Sequence, residues 1–179
     1  MTPSGIEVVD TVRTDKVYWA DALRGRRLKV AIDRSGKWWV GSEATDIEAY
    51  LKAYNAEGHL VDKTRLGKCG CGSIEFRLEA DRNEGCAQRH CAGCGAKHLI
   101  CDSAEYWNDA EPENWVCVVC EGVIGNVAVG FSLYEADGEG ERDVRWISVG
   151  IRCVGCGTLG SPVDWKVGYG PSCQLLDQA

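Results

Sequence analysis

Four closely spaced cysteine pairs constrain this chain more than any other feature: Cys69-Gly-Cys71-Gly, Cys91-Ala-Gly-Cys94-Gly, Cys117-Val-Val-Cys120-Glu-Gly and Cys153-Val-Gly-Cys156-Gly. A Cys-x-x-Cys turn is tight enough to aim both sulfurs at one point about 2.3 Å away, the length of a zinc–thiolate bond. A glycine after the second cysteine accepts a positive φ and lets nearby backbone N–H groups point at the thiolates. Three pairs have the full spacing, and Cys69-Gly-Cys71 is one residue short. The chain shows no basic leader followed by an apolar core and no apolar run of the roughly 18 residues a membrane span needs. A reducing cytoplasm is therefore the expected location. There, a chain with eleven cysteines is expected to use them for metal rather than for a disulfide framework, and the odd count leaves at least one thiol unpaired by disulfides.

Apolar residues alternate between the pairs, and a hairpin there brings the two ends of each set together at low loop-closure cost. Cys69, Cys71, Cys91 and Cys94 are thus expected to hold one ion, and Cys117, Cys120, Cys153 and Cys156 a second. Zinc takes such four-sulfur sets tetrahedrally, and iron uses the same knuckles alone or as a cluster. The short first knuckle leaves His90, His98 or Cys86 open as a substitute ligand at the first site. Cys101 sits in a strand-like apolar run and reads as core. Cys86 lies near a hairpin turn, and Cys173 reads as tail.

Outside the cysteines, Ile32 closes an alternating run from Leu28, Arg34-Ser35-Gly36 reads as a turn, and Lys37–Val40 as the returning strand. Trp38 and Trp39 would then face opposite sides, one to the core and one to a partner. Thr45-Asp-Ile-Glu48 has the form of a capping box, and Ile47, Tyr50, Leu51 and Tyr54 follow with helical spacing, so a helix is expected over 46–57 with Gly58 as its left-handed stop. Residues 59–68 read as linker. An internal repeat follows: Phe76-Arg-Leu78-Glu79-Ala80-Asp81 recurs as Phe131-Ser-Leu133-Tyr-Glu135-Ala136-Asp137 with one inserted residue.

Knuckle, hairpin, knuckle resembles the zinc ribbon, in two tandem copies over about residues 69–165. The resemblance implies zinc held by four cysteines in each copy, and three-stranded antiparallel sheets. It implies no single activity, because ribbons serve transcription factors, ribosomal proteins, enzyme inserts and protein-binding modules alike. The expected fold is α+β: a small N-terminal β-hairpin-plus-helix unit over 1–66, ribbon 1 over 67–104, an acidic linker over 105–114, ribbon 2 over 115–170 and a tail over 171–179. Each ribbon alone is too small for a large core, so the metal would supply most of its stability.

The formal charge of −7 argues against a general nucleic-acid binder, which needs clustered cations to neutralise phosphates. The charge is unevenly spread: residues 13–37 carry eight basic and three acidic side chains, whereas residues 101–143 carry eleven acidic and one basic. No catalytic constellation is recognisable among His59, His90 and His98, and the acidic loop from Glu135 to Asp143 lacks the ordered ligands of a calcium loop. The expectation is a non-enzymatic protein-interaction module (an adaptor, inhibitor or immunity-type partner) with two structural zinc ions. Tyr106, Trp107 and Trp115, set among Asp109, Glu111 and Glu113, are the candidate contacts with another protein. The rival is a nucleic-acid-associated or transcription-regulating ribbon protein working through Arg24, Arg26 and Arg27.

Overall fold

The longest strand pair organises everything else. Val127, Val129, Phe131 and Leu133 alternate with Asn126, Ala128, Gly130 and Ser132 in β8 (Gly125–Leu133), and all nine residues of the strand are buried. β8 pairs antiparallel along its whole length with β9 (Val144–Cys153), which in turn pairs with β10 (Leu159–Lys166). The computed structural model describes residues 32–135, 142–168 and 170–179, and all of them belong to one unit of the fold.

These strands belong to a single eight-stranded antiparallel sheet, which overturns the expected α+β arrangement of a hairpin-and-helix unit followed by two separate ribbons. The other hairpin of the sheet, β4 (Phe76–Asp81) with β5 (Cys86–Cys91), joins β8 edge to edge through Phe76 and Gly125. Residues 63–66, read as linker, form β3 (Lys63–Leu66) and complete the same edge of β8, from Lys63 opposite Phe131 to Leu66 opposite Ala128. β6 (Lys97–Leu99) extends the sheet beyond β5, and β7 (Glu113–Asn114), in the segment read as an acidic linker, pairs with β4. A second, two-stranded sheet pairs β1 (Ile32–Asp33) with β2 (Val40–Gly41). The fold is mostly β, with one α-helix among the described residues. The run 28–31 and Arg24, Arg26 and Arg27 lie outside those residues.

Helix α1 (Asp46–Tyr54) lies against the small-residue face of β8 and β9. Ile47 and Leu51 are fully buried there, each contributing about 1.5–3 kcal/mol of burial. The face has to be small: a Cβ on Gly150, which stands opposite Ala128, would lie 2.6 Å from Ile47 Cγ2. The start of the helix departs from the capping box. Thr45 makes no side-chain cap, and Asp46 reaches back instead, accepting the N–H groups of Ser42 at 2.7 Å and Glu43 at 2.8 Å. The stop is not a left-handed Gly58 either. The helix ends at Tyr54, where Asn55 donates from its side chain to the Leu51 carbonyl. Trp39 packs on this small core and meets Tyr50 edge-on, while Trp38 is exposed.

The opposite face of the sheet carries the larger core: Phe76, Leu78, Val127, Val129, Phe131, Ile147, Val149, Ile151, Val163 and Trp165 among others. The sheet curls over this face. Arg82, in the β4–β5 turn, donates to the Pro162 carbonyl of β10, two strands that are not neighbours in the ladder. Residues 171–179, read as a tail, close the core with a short 3-10 helix (Cys173–Asp177) that buries Leu175 and Leu176.

Candidate metal centres

The first cluster takes Cys69 and Cys71 from the loop between β3 and β4, Cys91 from the end of β5 and Cys94 from the turn into β6. The second takes Cys117 and Cys120 from the loop between β7 and β8, Cys153 from the end of β9 and Cys156 from the turn into β10. In each group the four sulfurs lie within 4.8 Å of one another, and among the described residues these two sets are the groups that could hold metal ions. The shortest separations are 3.5 Å for Cys69–Cys94, Cys71–Cys91 and Cys117–Cys156, and 3.4 Å for Cys120–Cys153. A tetrahedron of zinc–thiolate bonds has an edge of about 3.8 Å, so the sulfurs sit close to ligand spacing. All eleven cysteines are free of disulfides.

The four knuckles are one backbone device. In the full-length turns, the residue after the second cysteine donates back to the first: Gly95 to Cys91, Glu121 to Cys117 and Gly157 to Cys153, each at 2.9 Å. The first cysteine then donates across the turn at 2.8 Å, to Ala96, Gly122 and Thr158 respectively. In the short turn Gly72 donates to Cys69, and Cys69 donates to Ser73, both at 2.8 Å. It is the same loop with one residue removed, and both of its sulfurs reach the cluster. The residue after the second cysteine has positive φ in every case: Gly72 +92°, Gly95 +75°, Gly157 +77° and, without the freedom of glycine, Glu121 +60°.

Four thiols this close cannot all ionise against one another. The Cys94 and Gly93 N–H groups draw Cys91 down to about 6. Cys94 is helped by the Ala96 N–H, yet its neighbours Cys69, Cys71 and Cys91 push it up to about 12. Burial opposes ionisation of Cys156, but the Thr158 hydroxyl, 3.1 Å from its sulfur, and the Thr158 N–H bring it down to about 6. Cys120 keeps the Gly122 N–H and is still pushed up to about 12 by Cys156 and Cys153. Each cluster thus pairs an easily formed thiolate with one that holds its proton until a cation offsets the repulsion. A divalent metal supplies that charge.

The substitute ligands considered for the first site are engaged elsewhere. His90 Nε2 lies 3.0 Å from Glu79 and 2.8 Å from Gln88, and His98 Nε2 lies 3.2 Å from the Gln178 carbonyl. Cys86 is fully buried, and burial, then the charge of Asp81, raises its thiol. Burial likewise raises Cys101, whose Sγ faces the Leu175 carbonyl. A cavity of about 170 Å³ beside the first cluster is lined by Lys68, Cys69, Phe76, Arg89, Lys97 and His98 among others. No carboxylate lines it.

The predicted contact aromatics are less free than their sequence position suggested. Tyr106 and Trp107 are half-buried, and Trp115 packs against the main core while its backbone N–H donates to the Leu78 carbonyl at 2.8 Å. What sequence reading missed is the row of exposed valines around the second cluster, visible only as unremarkable residues inside and beside Cys117-Val-Val-Cys120. Comparison with protein-family models, with curated proteins and with solved structures finds no match to this chain.

Proposed function

We propose that the chain is a non-enzymatic protein-contact module in which two zinc ions pin the knuckles. The observation that carries this reading is the composition of both clusters: each consists of four thiols, with no histidine or carboxylate among the ligands. Catalytic zinc needs an open position and a positioned base, whereas structural zinc is bound by four protein ligands. Zinc suits such a set because a d10 ion has no geometric demand beyond the tetrahedron and no redox chemistry to manage. The contact role rests on the acidic segment from Cys101 to Asp143 and on apolar side chains left exposed beside it. An acidic surface repels phosphate backbones and favours a basic polypeptide.

Metal analysis of chain purified without added metal tests the first half: two zinc ions per chain are expected, in a colourless protein, and thiolate-to-iron absorption in the visible would overturn it. Oligonucleotide binding at two salt concentrations tests the second. Tight binding at physiological salt that weakens steeply with added salt and is lost on charge reversal of Arg26 and Arg27 would replace the protein-contact reading by the nucleic-acid one.

A further inference from the structure

The two clusters display different chemistry at their turns. Between its ligands the first cluster presents only Gly70, Ala92 and Gly93. The second presents Val118 and Val119 inside one knuckle and Val154 inside the other. Val118 is 69% exposed and Val119 53%, and the flanking Val116, Val123 and Val154 are exposed as well. The two turns that carry these side chains adjoin. The sulfurs of Cys120 and Cys153 lie 3.4 Å apart, and the Val154 N–H donates to the Ile124 carbonyl at 3.0 Å, which ties the two knuckles together. Ile74 is also exposed, and its carbonyl accepts the side-chain amide of Asn126, two residues after Ile124, at 3.1 Å.

Exposed β-branched side chains in series are unusual on a monomer, and contiguous apolar patches mark contact sites. None of these valines serves the core, and the metal-binding turns need no side chain at the x positions, as Gly70, Ala92 and Gly93 show. Charge narrows the occupant. Glu121 belongs to the knuckle itself, Glu113 leads into it, and Glu75 follows Ile74, all three exposed. The sequence running through the knuckle, residues 109–123, carries four acidic side chains and no Lys, Arg or His. Such a rim repels nucleic acid and anionic membrane, and it would set like charges against each other in a symmetric pair of copies.

We propose that the valine-capped second knuckle is a docking surface for an apolar polypeptide segment flanked by basic residues. This rests on the protein-contact reading and moves the contact from Tyr106, Trp107 and Trp115 to Val118, Val119 and Val154. The zinc ion holds the patch in place by fixing the two turns that carry it, so the surface exists only when the second cluster is loaded.

The test uses the zinc-loaded full chain and two short fluorescein-labelled peptides, one alternating leucine with lysine, the other leucine with glutamate. Fluorescence anisotropy measures affinity, and amide chemical shifts map the footprint. The lysine peptide should bind with its footprint on residues 116–123 and 154, and the glutamate peptide should not. The double variant V118S/V119S should weaken binding about tenfold, with zinc content and melting temperature unchanged, and E113Q/E121Q should flatten the salt dependence. A footprint on 106–115, with V118S/V119S binding as the parent does, would overturn the docking site while leaving the protein-contact reading intact. Failure of the lysine peptide alongside tight oligonucleotide binding would overturn both. A parent dimer that V118S/V119S converts to monomer would assign the patch to self-association and overturn the proposal.

Discussion

Gly85, in the β4–β5 turn, lies directly against Trp165 of β10: a Cβ on the glycine would stand 2.6 Å from the Trp165 Cβ. This contact holds the curl of the sheet, because the β4–β5 hairpin and β10 share no ladder. The glycine also has φ +67°. Gly85→Ala therefore meets two penalties, a left-handed conformation and an overpacked contact with backbone-proximal atoms, together about 2–4 kcal/mol. Gly58→Ala, where nothing lies within 4 Å and φ is not positive, should change stability by less than about 0.5 kcal/mol. Equilibrium unfolding of the two variants checks the contrast, and equal effects would refute the role given to this contact.

Both cysteine clusters were legible because their ligands are local: each knuckle is a four- or five-residue device, and chemistry selects the residue types. The sheet was harder to read, because its joins depend on backbone pairing that leaves little trace in side-chain pattern. β3 is mostly exposed, with no apolar alternation over Lys63–Leu66, and β4 meets β8 through one residue pair. One signal was available. A strand with one solvated face would alternate apolar with charged residues, whereas β8 alternates Val, Val and Phe with Asn126, Ala128, Gly130 and Ser132. Small residues at those positions indicate a face covered at close range, here by α1 and the segment around Val61. The tail reading of 171–179 failed for a different reason: Leu175 and Leu176 are too few to show a period.

Two carboxylates should move stability in opposite directions with pH. Asp81 accepts the N–H groups of Glu111, Asn83 and Glu84, which hold its carboxyl below the ordinary carboxylate value. A depressed group contributes stability that is present above its unfolded pKa and is lost as pH falls through its folded one. Asp102 accepts the Trp165 indole N–H at 2.9 Å, but burial outweighs that bond and raises its carboxyl. Its contribution is complete below the unfolded pKa and declines as pH rises through the folded value. Asp81→Asn should therefore flatten the acid limb of the stability curve, and Asp102→Asn should lower stability least near neutral pH. Melting temperatures across pH 3–7 (roughly the span in which carboxyl groups titrate) decide the point, and parallel curves for both variants would contradict it.

Arg89 should support the first metal site alone. The residue is 6% exposed, and its guanidinium stacks 4.8 Å above Phe76 and donates through Nη2 to the Ala179 carbonyl at 2.7 Å. Nε and Nη1 have no partner among the described residues. Burial disfavours its charge, and the thiols of Cys69, Cys101 and Cys91 favour it. A divalent ion held by four thiolates carries net charge −2, which stabilises a buried cation beside it. Ile151 stands at the corresponding position before Cys153, and the neighbouring Arg152 is half-buried and spends its donors on Gly41, Asn126 and Ser42. Arg89→Met should weaken metal at the first site about tenfold, the range of outer-shell partners, and leave the second unchanged. Chelator competition on cobalt-substituted protein resolves the two sites. Equal loss at both, or at neither, would remove Arg89 from the centre.

Metal removal should loosen the knuckles and spare the middle of the sheet. Two isolated ribbons, which draw most of their stability from the ion, would unfold over residues 69–165 much more than residues 1–60 do. The single sheet changes that balance. β8 and β9 are covered by the main core on one face and by α1 on the other, and Val127, Val129, Phe131, Ile147, Val149 and Ile151 are almost fully buried without touching the ligand set through chemistry. Bound ions would contribute instead at the ends of strands, where Gly72, Gly95, Glu121 and Gly157 adopt positive φ and each set of four thiols is brought together. Once the cation is gone, repulsion and backbone strain act on those turns first. A strong chelator should therefore raise amide hydrogen exchange in the four knuckles. The amides of Val129, Phe131 and Val149 should keep most of their protection, and Leu51 of α1 should follow them. Uniform loss of protection across the described strands after verified metal release would show that the ions, and not the sandwiched pair β8–β9, hold the fold together.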